Sequence, residues 1–208
     1  MAASREPHST ALKKLMRYIV ATADRGLVLK PNRLWDGSLG HKFVIHGRSD
    51  SDYAANTDDR RSISGGRVCL NGCPVTFRSQ MQKFVTLLVT EAEGATGVMT
   101  AQDMLYVYRL LLSIGLLIEL PMLLEMDNKG AVDLANNWSV GGRTCHVDVR
   151  NHFLRDLKDE GLLIVRHVPG DENDADIFTK NVTGPIFERH LPTFVGIDKY
   201  MNEEPEAR

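Results

Sequence analysis

Asn71-Gly72, set between the strand-like runs SGGRVCL and PVTFRS, predicts a two-residue hairpin turn. Such a turn needs residues that tolerate positive φ, so that its twist matches that of the flanking strands. A third run, KFVIHGRSDSD, precedes the pair and enters a group of acidic residues. Three successive antiparallel strands are the expected result. The pattern then changes to a helix over about 91–113, an apolar strand (MLLEM) and a helix from near Lys129. A further helix over 147–158 carries Phe153, Leu154 and Leu157 on one side and ends at Gly161, and the strand LLIVRHV follows. Short helices around 175–181 and 185–190 precede a polar tail, MNEEPEAR, whose composition predicts disorder. This order implies an α/β fold in which one sheet combines an antiparallel hairpin region with helix-covered parallel strands.

A chain of 208 residues suits one compact domain with appended segments. Residues 8–30 read as a basic, amphipathic helix followed by a short strand (GLVL), and the turn-rich 31–40 as a boundary. The net charge of -2 excludes a global basic field, so any nucleic-acid binding rests on a local patch. Three cysteines with no N-terminal apolar signal segment point to a reducing, intracellular compartment and free thiols. Cys69, Cys73 and Cys145-His146 lack the paired spacing of a structural zinc site. The apolar stretch 105–124 is interrupted by Arg109, Gly115, Glu119 and Pro121, which fits a buried helix, a loop and a core strand instead of a membrane span.

Four acids stand where strands end or helices begin: Asp50, Glu93, Asp127 and Asp176. Side chains at the carboxyl ends of neighbouring parallel strands share a crevice, and clustered carboxylates there suit hard divalent cations and phosphodiester cleavage. Each has a plainer role as well. Asp50 and Asp127 fit turns or caps, Glu93 completes a T-x-x-E capping box with Thr90, and Asp176 fits a helix start. Asp52 shares a strand face with Asp50 and is a second candidate. Asp36, in Asp36-Gly37-Ser38, lies before the strand and reads as a turn.

Taken together, SDSDYAAN with DDRRSISG, PVTFRSQMQK, TEAE, DNKGAVDLA, RTCHVDVRNHFLRD and HVPGDENDADIFTK resemble the ribonuclease H domain at the C-terminal end of copia-type retrotransposon polyproteins, in family order. The resemblance implies a ribonuclease H-like domain over 41–183, with a five-stranded mixed sheet, three strands antiparallel and the rest parallel, and helices on both faces. Residues 1–40 are similar to the segment joining the family's polymerase to its nuclease, and 184–208 form a C-terminal helix and tail. The implied activity is metal-dependent endonucleolytic hydrolysis of the RNA strand of an RNA/DNA hybrid during reverse transcription, with two Mg²⁺ ions, or Mn²⁺ in their place, about 4 Å apart. Asp50, Glu93, Asp127 and Asp176 carry over as catalytic metal ligands. Arg60, Arg61, Arg78, Gln82 and Lys83 carry over as contacts to phosphates or 2′-hydroxyls. The implied partners are the hybrid and the reverse transcriptase of the same polyprotein, in the cytoplasm, the nucleus or both.

The chain departs from the family in two places. Gly94 replaces an aromatic residue after TEAE, with Gly97 close behind, and each glycine disfavours helix by roughly 1 kcal/mol relative to alanine. The loop PGDEN also lacks the histidine of cellular ribonucleases H, His167 lying upstream in the strand. The competing readings are a decayed or host-adopted binding module that keeps the fold, and a transposase or integrase of related fold.

Overall fold

The computed structural model describes residues 6–23, 26–137 and 145–195, with the backbone alone over 145–151. Its elements run α1 (Glu6–Ala21), β1 (Lys42–Phe43), β2 (Ile45–Asp52), β3 (Ile63–Leu70), β4 (Cys73–Met81), α2 (Val89–Ser113), β5 (Leu117–Ile118), β6 (Met122–Met126), α3 (Lys129–Asn136), α4 (Cys145–Asp159), β7 (Leu163–His167), α5 (Gly184–His190) and α6 (Pro192–Val195). Two 3₁₀ turns, Gly170–Glu172 and Asp174–Phe178, lie between β7 and α5.

The main sheet has five strands in the order β4-β3-β2-β6-β7. β2, β3 and β4 are antiparallel neighbours, and β6 and β7 run parallel to β2. The hairpin turns at Asn71 (φ 48) and Gly72 (φ 83), both in the left-handed region that an Asn-Gly turn supplies. Pro74, which cannot donate to a ladder, sits on the edge strand β4 beside a register shift. β1 and β5 form a separate two-stranded parallel pair.

Two adjacent glycines show how the sheet is covered, because consecutive residues of a strand point to opposite faces. A Cβ on Gly66 would lie 2.3 Å from Thr100 Oγ1 of α2, whereas one on Gly65 would lie 2.5 Å from Thr179 Cγ2, just past the second 3₁₀ turn. On the first face α2, α3 and α4 close one apolar core, in which Ile45, Met104, Leu124, Met126 and Leu154 are wholly buried. α2 runs unbroken through Gly94 and Gly97, and Gly97 admits the Met126 side chain to within 3.0 Å of where a Cβ would stand. The glycine cost is met there by close helix-to-sheet packing. α4 ends as predicted at Gly161 (φ 69), whose N–H donates to Lys158 O.

Three expectations differ from the structure. Residues 26–29 form no strand: Val28 N–H donates to Phe194 O, near the end of the described chain, instead of to a strand. Residues 175–181 form a short 3₁₀ turn ending at Phe178 instead of a helix. Thr90 and Glu93 make no capping box: Leu88 is the N-cap, and the Glu93 carboxylate points to β2. The tail MNEEPEAR lies outside the described residues, as do the side chains of Cys145 and His146, while Cys69 and Cys73 are buried free thiols. Among the described residues no helix is long and apolar enough to cross a membrane.

Candidate active site

β2 and β6 pair in parallel up to Ser49 and Met126, and Asp50 and Asp127 are the next residue on each side. The two carboxylates therefore emerge side by side where the parallel ladder ends, in the crevice expected of such a sheet. Asp176 reaches the same point from the second 3₁₀ turn, folded across β2 and β3. One ligand oxygen from each of Asp50, Asp127 and Asp176 lies within 4.8 Å of the others. Glu93 approaches from α2. It is 4% exposed, its Oε1 accepts the Ser51 N–H at 3.2 Å, and its Oε2 is buried with no hydrogen-bond partner among the described residues.

The charges of this group repel one another. Burial, with the charges of Asp50 and Asp127, pushes the Glu93 carboxyl up to about 8. Burial and Asp50 raise Asp176 to about 6, and the same two influences raise Asp127. Glu125, two residues before Asp127, shows the opposite case. Its hydrogen bond from His46, and that from Arg48, outweigh burial and hold it down to about 2. Glu125 has Arg48 and a hydrogen bond from His46 to itself, whereas the four site acids together face one cation, Lys180, among the described residues. An all-oxygen donor set with a surplus of negative charge and an unpartnered buried oxygen fits a hard divalent cation.

The segment that carries Asp176 is anchored over long sequence distances. Asn173 Nδ2 donates to Ser49 O at 3.0 Å, and its Oδ1 accepts Ala175 N–H at 3.2 Å, which starts the turn. Asp174 is 2% exposed and accepts from Arg67 Nε at 2.7 Å, a buried ion pair between the turn and β3. Gly65 lets the turn lie directly on the sheet. Thr179 then donates to Asp50 Oδ2, and Lys180 Nζ reaches Asp50 Oδ1 at 3.2 Å and Asp176 Oδ1 at 3.0 Å. Sequence reasoning missed Arg67, Asn173, Thr179 and Lys180. Of these, Lys180 left a local signal in its four-residue spacing from Asp176, and Asn173 one as the residue capping the turn.

The other expected residues are distributed around this centre. Arg78, Gln82 and Lys83 line a groove of about 420 Å³ between β4 and α2. Arg78 is exposed and paired with Asp103, and Lys83 is exposed. Gln82 is buried: its Nε2 donates to Ser64 Oγ at 2.9 Å and Ala92 O at 3.1 Å. Arg60 and Arg61 lie in the loop between β2 and β3, Arg60 at φ 57 and Arg61 paired with Asp59. Asp52 is outside the triad of close oxygens. His167, upstream in β7, is half-buried, and its Nε2 lies 3.1 Å from Asp127 O, bracing the residue after β6. Asp36 is a turn residue whose Oδ1 accepts Ser38 N–H.

A mixed sheet of this strand order, with acids gathered at the ends of its first and fourth paired strands, is a ribonuclease H-like fold, and solved structures agree. LC11-RNase H1, isolated from compost by a metagenomic approach, superposes with a TM-score of 0.52 at 16% identity, covering 65% of this chain and 92% of that one. No family model matches the chain. In sequence it is 32% identical over 183 residues to the retrovirus-related Pol polyprotein from transposon RE2 of Arabidopsis thaliana, covering 88% of this chain and 12% of the relative. The Pol polyprotein from transposon TNT 1-94 of Nicotiana tabacum is 32% identical over 181 residues, covering 87% and 13%. The chain is thus a member of the retrovirus-related Pol homologues of copia-type transposons, and it spans about 12% of the length of these relatives.

Proposed function

We propose that this chain is a ribonuclease H that hydrolyses the RNA strand of an RNA/DNA hybrid, acting beside the reverse transcriptase of a polyprotein, with divalent ions held by Asp50, Glu93, Asp127 and Asp176. The observation that carries this reading is the convergence of three carboxylate oxygens within 4.8 Å, next to the buried, unpartnered Glu93 Oε2. Kinship with Pol polyproteins supports the class of substrate, as does LC11-RNase H1, whose structure in complex with an RNA/DNA hybrid superposes at a TM-score of 0.50.

When bound, Mg²⁺ or Mn²⁺ would supply an activated water and charge neutralisation at the leaving oxygen. The protein's part is to hold the acids ready. Asp50 and Asp127 are fixed by the ends of β2 and β6, Glu93 by α2 and the Ser51 N–H, and Asp176 by the anchored 3₁₀ turn. Arg60, Arg61, Arg78 and Lys83 would contact phosphates along the strand. Gln82 is committed through its amide nitrogen and its Oε1 is buried, so it would shape the groove floor beneath those contacts.

The test is incubation of the protein with a hybrid labelled on its RNA strand. Cleavage in Mg²⁺, its loss with chelator and its loss in Asp127→Asn are the expected results. No cleavage, or equal cleavage by Asp127→Asn, would refute the proposal.

A further inference from the structure

We infer that Lys180 is a built-in counter-cation of the acidic centre, holding Asp50 and Asp176 in the ion-free protein and withdrawing toward solvent when a divalent ion enters. Lys180 thereby sets how tightly ions are held. This rests on the reading that the acids bind divalent ions, and goes beyond it by giving a role to a residue that is not a ligand.

Three observations carry the inference. The Lys180 ammonium bridges two members of the acidic triad, at 3.2 Å from Asp50 Oδ1 and 3.0 Å from Asp176 Oδ1. Its position is imposed by the backbone, because Lys180 N–H donates to Asp176 O at 3.0 Å and brings residues four apart side by side. The side chain also has somewhere to go. It is 40% exposed, so the ammonium can withdraw from the two carboxylates into solvent while its stem stays along the groove wall formed with Leu15, Tyr18 and Phe187.

Thr179 takes Asp50 Oδ2, so Asp50 already has both oxygens engaged. A divalent ion that uses Asp50 Oδ1 or Asp176 Oδ1 meets the ammonium at a distance where like charges repel strongly, and one of the two must leave. The four-carbon stem of lysine rotates freely enough to do so without moving the backbone. The ammonium therefore lowers the repulsion among the acids before an ion arrives and competes with that ion afterwards.

Mn²⁺ is titrated calorimetrically into the chelator-stripped chain and into Lys180→Met and Lys180→Arg, and each is melted with EDTA and with Mn²⁺. Lys180→Met is expected to bind Mn²⁺ about ten-fold tighter, equivalent to about 1.4 kcal/mol, to melt lower than wild type in EDTA, and to gain more from the ion. Lys180→Arg, which keeps a cation in place, is expected to stay near the wild-type affinity. A merely structural lysine would lower the melting temperature of Lys180→Met and leave its affinity unchanged. Wild-type binding with equal or weaker binding by Lys180→Met overturns the role of Lys180 while leaving the metal centre intact. No binding by either protein overturns both.

Discussion

Replacing Glu93 with glutamine separates the electrostatic cost of the site from its shape. The side chain keeps its size, and its Oε1 can still accept the Ser51 N–H, now 3.2 Å away. What is lost is the buried negative charge beside Asp50 and Asp127. Raising a carboxyl from 4.5 to about 8 corresponds to roughly 3–5 kcal/mol against ionisation in the folded state. Because the folded value lies above the unfolded one, the associated stability is fully present below pH 4.5 and is lost as pH rises through about 8. Asp176, raised to about 6, adds a smaller fall of the same sign between pH 3.8 and about 6. Ion-free Glu93→Gln is therefore expected to match wild type near pH 4.5 and to exceed it by up to roughly 3–5 kcal/mol at pH 9. For a chain of this size that is roughly 6–20 °C in melting temperature. Thermal melts in EDTA from pH 4.5 to 9 measure it. Curves that run parallel for the two proteins, with no widening between pH 4.5 and about 8, would show that Glu93 carries no such penalty and would remove the argument for a cation at its free oxygen.

Two further substitutions test how Asp176 is placed. Arg67→Met leaves the buried Asp174 with only its longer ion pair, to Arg48 Nη1 at 3.6 Å, and is expected to cost about 2–3 kcal/mol in urea unfolding, less than a fully uncompensated buried charge; a loss under about 1 kcal/mol would mean that the pair does not anchor the turn. Gly65→Ala puts a Cβ 2.5 Å from Thr179 Cγ2 and 2.9 Å from Phe178 Cβ, so it is expected to shift the turn and reduce hybrid cleavage far more than stability. Unchanged turnover by Gly65→Ala would show that the turn tolerates displacement.

The parts of the fold legible in the sequence were those written in local pattern. Asn71-Gly72 fixed the hairpin, the apolar runs before Asp50 and Asp127 read as strand ends, and Gly161 closed α4. What was not legible depends on partners far along the chain. Leu27 to Leu29 have strand composition, yet Val28 pairs its N–H with Phe194 O instead of a strand, a tertiary choice that composition does not carry. The 3₁₀ turn at 174–178 is shaped by Asn173 reaching Ser49 and by Asp174 reaching Arg67, which is 107 residues away. Thr90 and Glu93 matched a capping box in spacing, yet the carboxylate turned to the sheet because β2 offers the Ser51 N–H there. Lys180 was hidden for a related reason. Its motif, ADIFTK, served as a family marker, while its role depends on Asp50 lying across the crevice.

The central claim, that four carboxylates from separate elements share divalent cations, is met most directly by anomalous diffraction from crystals grown in Mn²⁺. Two peaks about 4 Å apart, ligated among Asp50, Glu93, Asp127 and Asp176 with the Lys180 ammonium withdrawn, are the predicted result. An absence of peaks at saturating Mn²⁺, with Lys180 still between Asp50 and Asp176, or peaks on carboxylates elsewhere on the surface, would contradict it.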